Sequence, residues 1–366
     1  MTAKLRVLVL WSRPSGYLDA CLDALAGTRK ADVLFVGQSS SRNEAPFDLS
    51  LLQGHYRSIY LEKPVDYEAL AGTTDEFRPH VVLAGGSWRE RSYRKLLRNF
   101  NRKACRILCM DTLWTGHWRQ RLALPAMRAT RSAHYDKAFV AGDRQANYAK
   151  RMGFATTNIQ TGLYSCDHGS FSAAAGRWGD ARFATPSFLY VGRLINIKGI
   201  PELLEGYTAY RDRTSNPWPL HVCGTGPLES QLRQAEGVRH LGFVQPNDLP
   251  NVMASHTTLV LPSRSEPWGL VIHEAVSAGM SVICSAVCGA GDYFVQSGHN
   301  GHILASTTPE QIAASFAQLS EAPQQKLVEM SAASRGFAAR NTPVIWANKV
   351  LAFQNAGAAT VPLDQN

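Results

Sequence analysis

The stretch Thr258-Leu259-Val260-Leu261-Pro262-Ser263-Arg264-Ser265-Glu266-Pro267-Trp268-Gly269-Leu270-Val271-Ile272-His273-Glu274-Ala275-Val276-Ser277-Ala278-Gly279 decides the fold. Its first four residues are an apolar run of the length of a short buried strand, Pro262 to Gly269 carry turn residues, and Leu270 to Ala278 read as a helix closed by Gly279. Strand, loop and helix in that order give an anion-binding layout. Backbone amides near Gly269, Leu270 and Val271 and the positive end of the helix dipole suit a phosphate, while Glu266 in the loop and Glu274 one turn inside the helix are placed to bond hydroxyls. A phosphate joined to a polyol is a nucleotide sugar.

Outward from this stretch the same unit recurs. Leu5 to Trp11, Asp32 to Gly37, His80 to Gly85 and Arg106 to Met110 read as strands in the first half, with a helix at Gly16 to Ala26. In the second half Ser187 to Val191, Leu220 to Cys223, His240 to Leu241, Thr258 to Leu261 and Ser281 to Cys284 are strands. Helices are expected from Ile200, Leu228, Asn247, Leu270 and Pro309. Strands alternating with helices predict parallel sheets covered on both faces, with ligands at the carboxyl ends of the strands. At 366 residues the chain is too long for one ordinary core and suits two such α/β domains. The small, polar segment Ser170 to Pro186 has no steady period and reads as the linker, dividing 1–169 from 170–342. A last helix follows from Pro343 to Gln354, within a terminal segment of residues 343–366.

Three further motifs carry chemistry. Val191-Gly192-Arg193-Leu194-Ile195-Asn196-Ile197-Lys198-Gly199 sets two cations five apart around a turn directly after a strand. A guanidinium fork and a mobile ammonium suit a diphosphate and would offset charge building on it as a leaving group. Leu220-His221-Val222-Cys223-Gly224-Thr225-Gly226-Pro227 ends a strand in Gly-x-Gly, without the third glycine and downstream acid of a dinucleotide fingerprint, which argues against NAD. Leu241-Gly242-Phe243-Val244 and Cys288-Gly289-Ala290-Gly291-Asp292 are two more glycine turns at strand ends.

Taken in order, these strings resemble the signature of the retaining glycosyltransferases of the large family 4 type, from about residue 134 to 354 and more loosely before it. The family's usual wording is Pro-Ser, a few residues, Glu-Gly-Phe-Gly-Leu and then Glu-Ala; here Pro267 and Trp268 replace Gly and Phe, and Asp292 stands where Glu is usual. The resemblance implies the GT-B architecture, two doubly wound Rossmann-like domains facing each other across a cleft, with the late helix returning to the first. It implies transfer of a hexose-type sugar from a nucleoside diphosphate sugar, UDP- or GDP-linked, with retention and without a metal or other cofactor. In that scheme Arg193, Lys198 and the amides of Gly269, Leu270 and Val271 hold the phosphates. Glu266 holds the sugar hydroxyls, with Trp268 beside it, and Glu274 the ribose; Gly224 and Gly226 form the turn beside the donor and the backbone of Phe243 and Val244 meets the base. No catalytic nucleophile of the glycosidase kind is evident; the resemblance implies front-face substitution, the departing phosphate helping to take the acceptor proton.

The first half supplies the acceptor side of this reading. Gly16, in the turn after the first strand, lets acceptor or donor approach the backbone and is counted among the donor-binding residues. Asp111 and His117, after the strand ending at Met110, are candidates to orient the acceptor hydroxyl and to bind the donor or share a proton, although Asp111 equally suits a helix cap. Trp88, Trp114 and Trp118 suit either sugar stacking or core packing.

Charge separates the two halves. Residues 1–170 hold 25 Lys and Arg against 15 Asp and Glu, and residues 171–366 hold 13 against 14. Much of the excess is in Arg89, Arg91, Arg94, Lys95, Arg98, Arg102, Lys103 and Arg106, a basic face for an anionic membrane surface or an acidic acceptor; nucleic acid is not the expected partner. A solvated helix without a partner accounts for it equally. The first strand is too short for a signal-peptide core or a spanning helix, so the expected location is the cytoplasm, with peripheral contact at the inner face of the membrane. Seven cysteines include two pairs spaced by four, but both pairs involve strand patterns, so reduced thiols rather than a zinc site are expected. Two other classes remain open: a nucleotide-sugar epimerase of the same architecture, which needs no acceptor, and a non-catalytic basic nucleic-acid or membrane adaptor, whose binding salt would weaken steeply and Glu274→Ala would not touch.

Overall fold

The computed structural model describes residues 4–11, 15–38, 52, 54–61, 67–85, 90–101 and 103–353. Ser12 to Pro14, Trp88, Arg89, Arg102 and the chain from Gln354 onward lie outside the described residues. Two compact units divide the remainder, one from residues up to 166 together with Pro343 onward, the other from Asp167–Thr342.

Unit one is built on a parallel sheet of β1 (Leu5–Leu10), β2 (Ala31–Gln38), β3 (Arg57–Leu61), β4 (Val81–Gly85), β5 (Cys105–Met110), β6 (Lys137–Val140) and β7 (Ile159–Thr161). Its strand order is β3-β2-β1-β4-β5-β6-β7. Alternation along each strand makes two cores, one per face. Leu8, Leu10, Val82, Ala84, Leu108 and Met110 face one; Val7, Val9, Leu83, Ile107 and Phe139 face the other. The helix Pro343–Ala352 closes the second face beside the helix Gly16–Gly27, burying Trp346, whose indole N–H donates to Leu163 O at 2.8 Å.

Unit two has β8 (Phe188–Val191), β9 (Leu220–Cys223), β10 (Val238–Gly242), β11 (Thr258–Leu261), β12 (Ser281–Ser285) and β13 (Gly301–Leu304), again parallel, in the order β10-β9-β8-β11-β12-β13. From β8 the chain first builds outward to β9 and β10, then returns to lay β11 on the other side. That reversal opens a crevice at the carboxyl ends of β8 and β11, where a doubly wound sheet takes its ligand.

One reading of the sequence is corrected here. The segment taken as a linker from Ser170 contains most of a helix, His168–Trp178, capped by Asp167, whose carboxylate accepts from Ser170 N at 3.3 Å. Phe171, Ala174 and Ala175 fall at helical spacing and are buried against the helices Leu249–Ala254 and Leu270–Ser277. Alanines that looked like small linker residues are the apolar stripe of a closely packed helix.

Candidate functional site

Three loops converge at the reversal point of unit two, and glycines set how closely they approach. Gly199 begins the helix Ile200–Arg211 at φ +74°, and a Cβ there would lie 2.0 Å from Pro262 O. The loop after β8 is thereby pressed against the loop after β11, and Arg264 N donates to Ile197 O at 2.9 Å. Glu202 and Arg264 add an ion pair between the same segments. This contact brings Lys198 and Glu266 together across 68 residues of sequence, as an ion pair with side chains only 15% and 13% exposed.

Beneath the pair lies Tyr190, fully buried, its hydroxyl donating to Arg193 O at 2.9 Å. Burial, reinforced by the nearby Glu266 charge, pushes its phenol pKa up, so it remains a neutral donor that fixes the Arg193 turn. The Arg193 side chain is exposed.

The loops after β8 and β9 are joined as tightly. Gly192 N donates to Cys223 O at 3.0 Å and Leu194 N to Thr225 O at 2.9 Å. A Cβ on Gly224 would lie 1.9 Å from Gly192 O, and one on Gly226 2.5 Å from Leu194 O. These loops enclose a cavity of about 620 Å³ lined by Arg193, Gly224, Gly226, Phe243 and Val244 among others. Glu229 also lines it and accepts from Gly226 N at 3.0 Å.

Gly269, at φ +86°, opens the helix Leu270–Ser277. Ile272 N makes the first bond of this end, to Gly269 O at 3.0 Å, so the amides of Leu270 and Val271 precede the helical ladder. Glu274 is half-buried in this helix, and desolvation pushes its carboxyl up to about 7. His273 is a packing residue: it stacks on Phe294 at 4.2 Å, bonds Ala338 O at 3.1 Å, and burial pushes it down to about 4, which keeps it neutral. Trp268 is buried and Asp292 exposed.

In unit one, Gly16 starts its helix behind Ser15, and Asp111 accepts from the Tyr164 hydroxyl at 3.2 Å. Asp111 does not cap the following helix. That role falls to His117, whose Nδ1 accepts from Arg119 N at 3.3 Å at the start of Trp118–His134, because the turn at Gly116 places the imidazole over the first amides. Trp114 is half-buried beside Tyr148, whereas Trp118 is exposed. The basic face is also smaller than charge counting indicates. Arg106 is buried in β5, its guanidinium gripping Asp136 at 2.8 and 3.1 Å and bonding Ala133 O at 3.0 Å.

Tyr190 and Glu229 were not singled out from sequence. A phenol closing an apolar strand must find a partner, which is a signal for the first. An acid three residues after a turn glycine, placed to bond its amide, is a signal for the second. Among the described residues no group of three or more His, Cys, Asp or Glu could hold a metal ion.

Residues 183–337 match the family model described as glycosyl transferases group 1, a span that contains Arg193, Lys198, Glu266 and Glu274. O-antigen chain mannosyltransferase B of Escherichia coli is 36% identical over 107 residues, covering 27% of this chain and 28% of that protein. Glycogen synthase of Mycobacterium tuberculosis is 30% identical over 150 residues, covering 38% and 35%. The matches thus span only 28% to 35% of these relatives' own length. Among solved structures, the Anabaena protein HepE in complex with UDP and glucose aligns with a TM-score of 0.72 at 17% identity, over 96% of this chain and 99% of that one. A glycosyltransferase from Rickettsia africae aligns with a TM-score of 0.74 at 11% identity, over 99% and 100%. At such identities the likeness is one of fold: two Rossmann-like domains of the GT-B type.

Proposed function

We propose that this chain is a retaining glycosyltransferase of the family 4 type, moving a hexose-type sugar from a UDP- or GDP-linked donor to a hydroxyl of a glycan, lipid-linked or small-molecule acceptor. The observation that carries the reading is the Lys198–Glu266 pair at the reversal point of unit two, where the loop after β8 that carries Lys198 also supplies Arg193 to the lining of the cavity. The family match over 183–337 and the UDP and glucose bound to HepE support it.

In this mechanism Arg193 and Lys198 hold the diphosphate, aided by the amides of Gly269, Leu270 and Val271. Glu266 accepts from sugar hydroxyls and Glu274 from the ribose. The glycines at 224 and 226 let the nucleotide approach the backbone, with Phe243 and Val244 against the base. The bond from the anomeric carbon to the phosphate oxygen breaks with its electron pair going to the diphosphate, where the cations offset the charge. The acceptor oxygen bonds that carbon from the same face, and its proton passes to the leaving phosphate. Two side-chain cations and a helix start do a metal ion's work. Asp111 is assigned to orient the acceptor hydroxyl, His117 to bind the donor or share a proton, and Gly16 to close approach by the donor. Thermal-shift titration of the full chain with UDP, GDP, ADP and their sugars, followed by turnover with the best donor, tests the reading. Stabilisation by none of them would sink it.

Glu274 gives the binding a pH dependence. Its folded-state carboxyl titrates near 7, above the ordinary value of 4.5, so the folded protein holds a proton that the unfolded chain has released between those limits. Stability therefore falls as pH rises from about 4.5 to about 7, by on the order of 3 kcal/mol at most, and is then level. Ribose hydroxyls donate to the ionised carboxylate, so nucleotide affinity runs the opposite way, weakening by up to about tenfold per unit below pH 7. Calorimetric titrations with UDP or GDP at pH 6 and 8 should show this slope for the unmodified protein and none for Glu274→Gln.

The location assigned is the cytoplasmic face of an anionic membrane. The described part of the basic segment keeps Arg91, Lys95, Arg98 and Lys103 exposed. Beside it, the helix Trp118–His134 carries four arginines and no acid, with Trp118 58% and Leu122 73% exposed. Sedimentation with phosphatidylglycerol vesicles should retain the protein at low salt and release it at 0.5 M on screening grounds, roughly an order of magnitude in affinity. Equal retention by neutral phosphatidylcholine vesicles would refute the assignment.

A further inference from the structure

We propose that Glu229 selects guanine as the base of the donor, its carboxylate accepting from the N1–H and N2–H of that base; this rests on the donor reading above. Among the described residues that line the cavity of about 620 Å³, Glu229 is the only acid and Arg193 the only cation. The Glu229 side chain is half-buried, and one of its oxygens accepts from Gly226 N at 3.0 Å. The other oxygen has no hydrogen-bond or ion-pair partner among the described residues, and it is not one of the polar atoms sealed from solvent. A carboxylate only accepts, so that open oxygen needs a donor from whatever fills the cavity.

The backbone holds this carboxylate in place. Glu229 N donates to Gly226 O at 3.2 Å while the carboxylate accepts from Gly226 N, so main chain and side chain close on the same glycine. Leu228 N donates to Leu194 O at 3.2 Å and Leu194 N to Thr225 O at 2.9 Å, which ties this turn to the loop that carries Arg193. The cation and the carboxylate thus share one cavity, on two loops joined by backbone bonds. Their opposite charges orient a nucleotide: the diphosphate is drawn to Arg193 and repelled by Glu229, which leaves the ribose or the base for the carboxylate. Phe243 and Val244 line the same cavity and give a base apolar surface to lie on.

Guanine is the base that suits such an acceptor. Its Watson–Crick edge sets N1–H and the N2 amino group side by side, two donors that a carboxylate accepts together. Uracil offers a single N–H between two carbonyl oxygens, and each of those repels a carboxylate. Adenine and cytosine place an amino group beside a ring nitrogen that only accepts. A pocket built to receive paired donors rejects a base that lacks them, because its own acceptor is then left unpaired. The ribose is common to all these nucleotides, so a contact there carries no such preference.

Glu229→Gln keeps the shape of the side chain. Its carbonyl oxygen must stay on Gly226 N, since an amide nitrogen cannot accept that bond, so its NH₂ group takes the place of the open oxygen. Calorimetric titrations of the full chain would use GDP, UDP, ADP and inosine diphosphate, whose base is guanine without the N2 amino group. The unmodified protein should bind GDP about tenfold or more tightly than each of the other three. The variant should lose about tenfold for GDP, hold UDP within about threefold, and no longer separate GDP from inosine diphosphate. UDP or ADP bound as tightly as GDP by the unmodified protein overturns the proposal. So does inosine diphosphate bound as tightly as GDP, a readout that needs no variant. A variant that keeps the unmodified preferences overturns it, and so does an equal loss for every nucleotide, which marks a bond to the ribose or a role in the Gly226 turn alone. A protein that binds none of the four fails the donor reading itself, whereas one that binds UDP or ADP best upholds that reading and fails only this inference.

Discussion

Glu266→Gln is expected to lower turnover by about two to three orders of magnitude, Lys198→Met by a similar factor, and the double variant by little more than either alone. The two groups form one half-buried unit, with each side chain less than a sixth exposed. In the free protein each neutralises the other, so neither a bare ammonium nor a bare carboxylate stands desolvated at the reversal point. Under the proposed donor reading, Lys198 turns to an arriving diphosphate only if Glu266 finds a new partner, which sugar hydroxyls would supply. Removing either member therefore breaks the exchange as well as one contact. Glu266→Gln also leaves Lys198 beside a neutral amide in a poorly solvated site, at a cost of about 2 kcal/mol. Steady-state kinetics with the best donor, alongside thermal melts of all three variants, check both parts. Losses that multiply in the double variant would show two independent contacts instead.

The residues of this pair were readable in the sequence, but their pairing was not. Arg193, Lys198, Glu266 and Glu274 stand in or next to glycine-bearing loops after apolar runs, where a parallel sheet puts its ligand groups. A separation of 68 residues between Lys198 and Glu266 carries no such information; it is closed by the approach of Gly199 to Pro262. The same division runs through the fold. Central strands such as β8, β9 and β11 are mostly buried apolar runs and announce themselves. Of the four unmarked strands, β3, β7 and β13 are terminal in their sheets, and most of their residues are half-exposed or exposed, so the ladder rather than their own composition makes them strands; β6 is interior and buried, but only four residues long. Arg106 shows the converse error: in a run of cations it reads as surface, yet β5 carries it inward to Asp136. Tyr190 escaped because its partner is a backbone carbonyl three residues on, which no side-chain pattern reports.

Gly199→Ala should destabilise unit two by about 3 kcal/mol or more and remove measurable nucleotide binding, while Gly242→Ala should cost about 1 kcal/mol. Both glycines have nearly the same left-handed backbone, φ +74° and +72°, so the conformational penalty for a side chain is shared. Their surroundings differ. A Cβ on Gly242 meets nothing within 4 Å, whereas one on Gly199 lies 2.0 Å from Pro262 O and 2.9 Å from its carbonyl carbon. Neither of those atoms belongs to a side chain that can rotate away. Relief requires the loop after β8 to part from the loop after β11, which lengthens the Arg264 N to Ile197 O bond and draws Lys198 from Glu266. For a unit of this size the two costs correspond to melting-temperature falls of roughly 6 °C or more and roughly 3 °C. Thermal melts with and without UDP or GDP separate the effects. Because the backbone strain is common to both variants, what Gly199→Ala loses beyond Gly242→Ala measures the contact between the loops. Equal losses would show that left-handed strain alone sets the cost, and that the approach of these loops does not hold the Lys198–Glu266 pair in place.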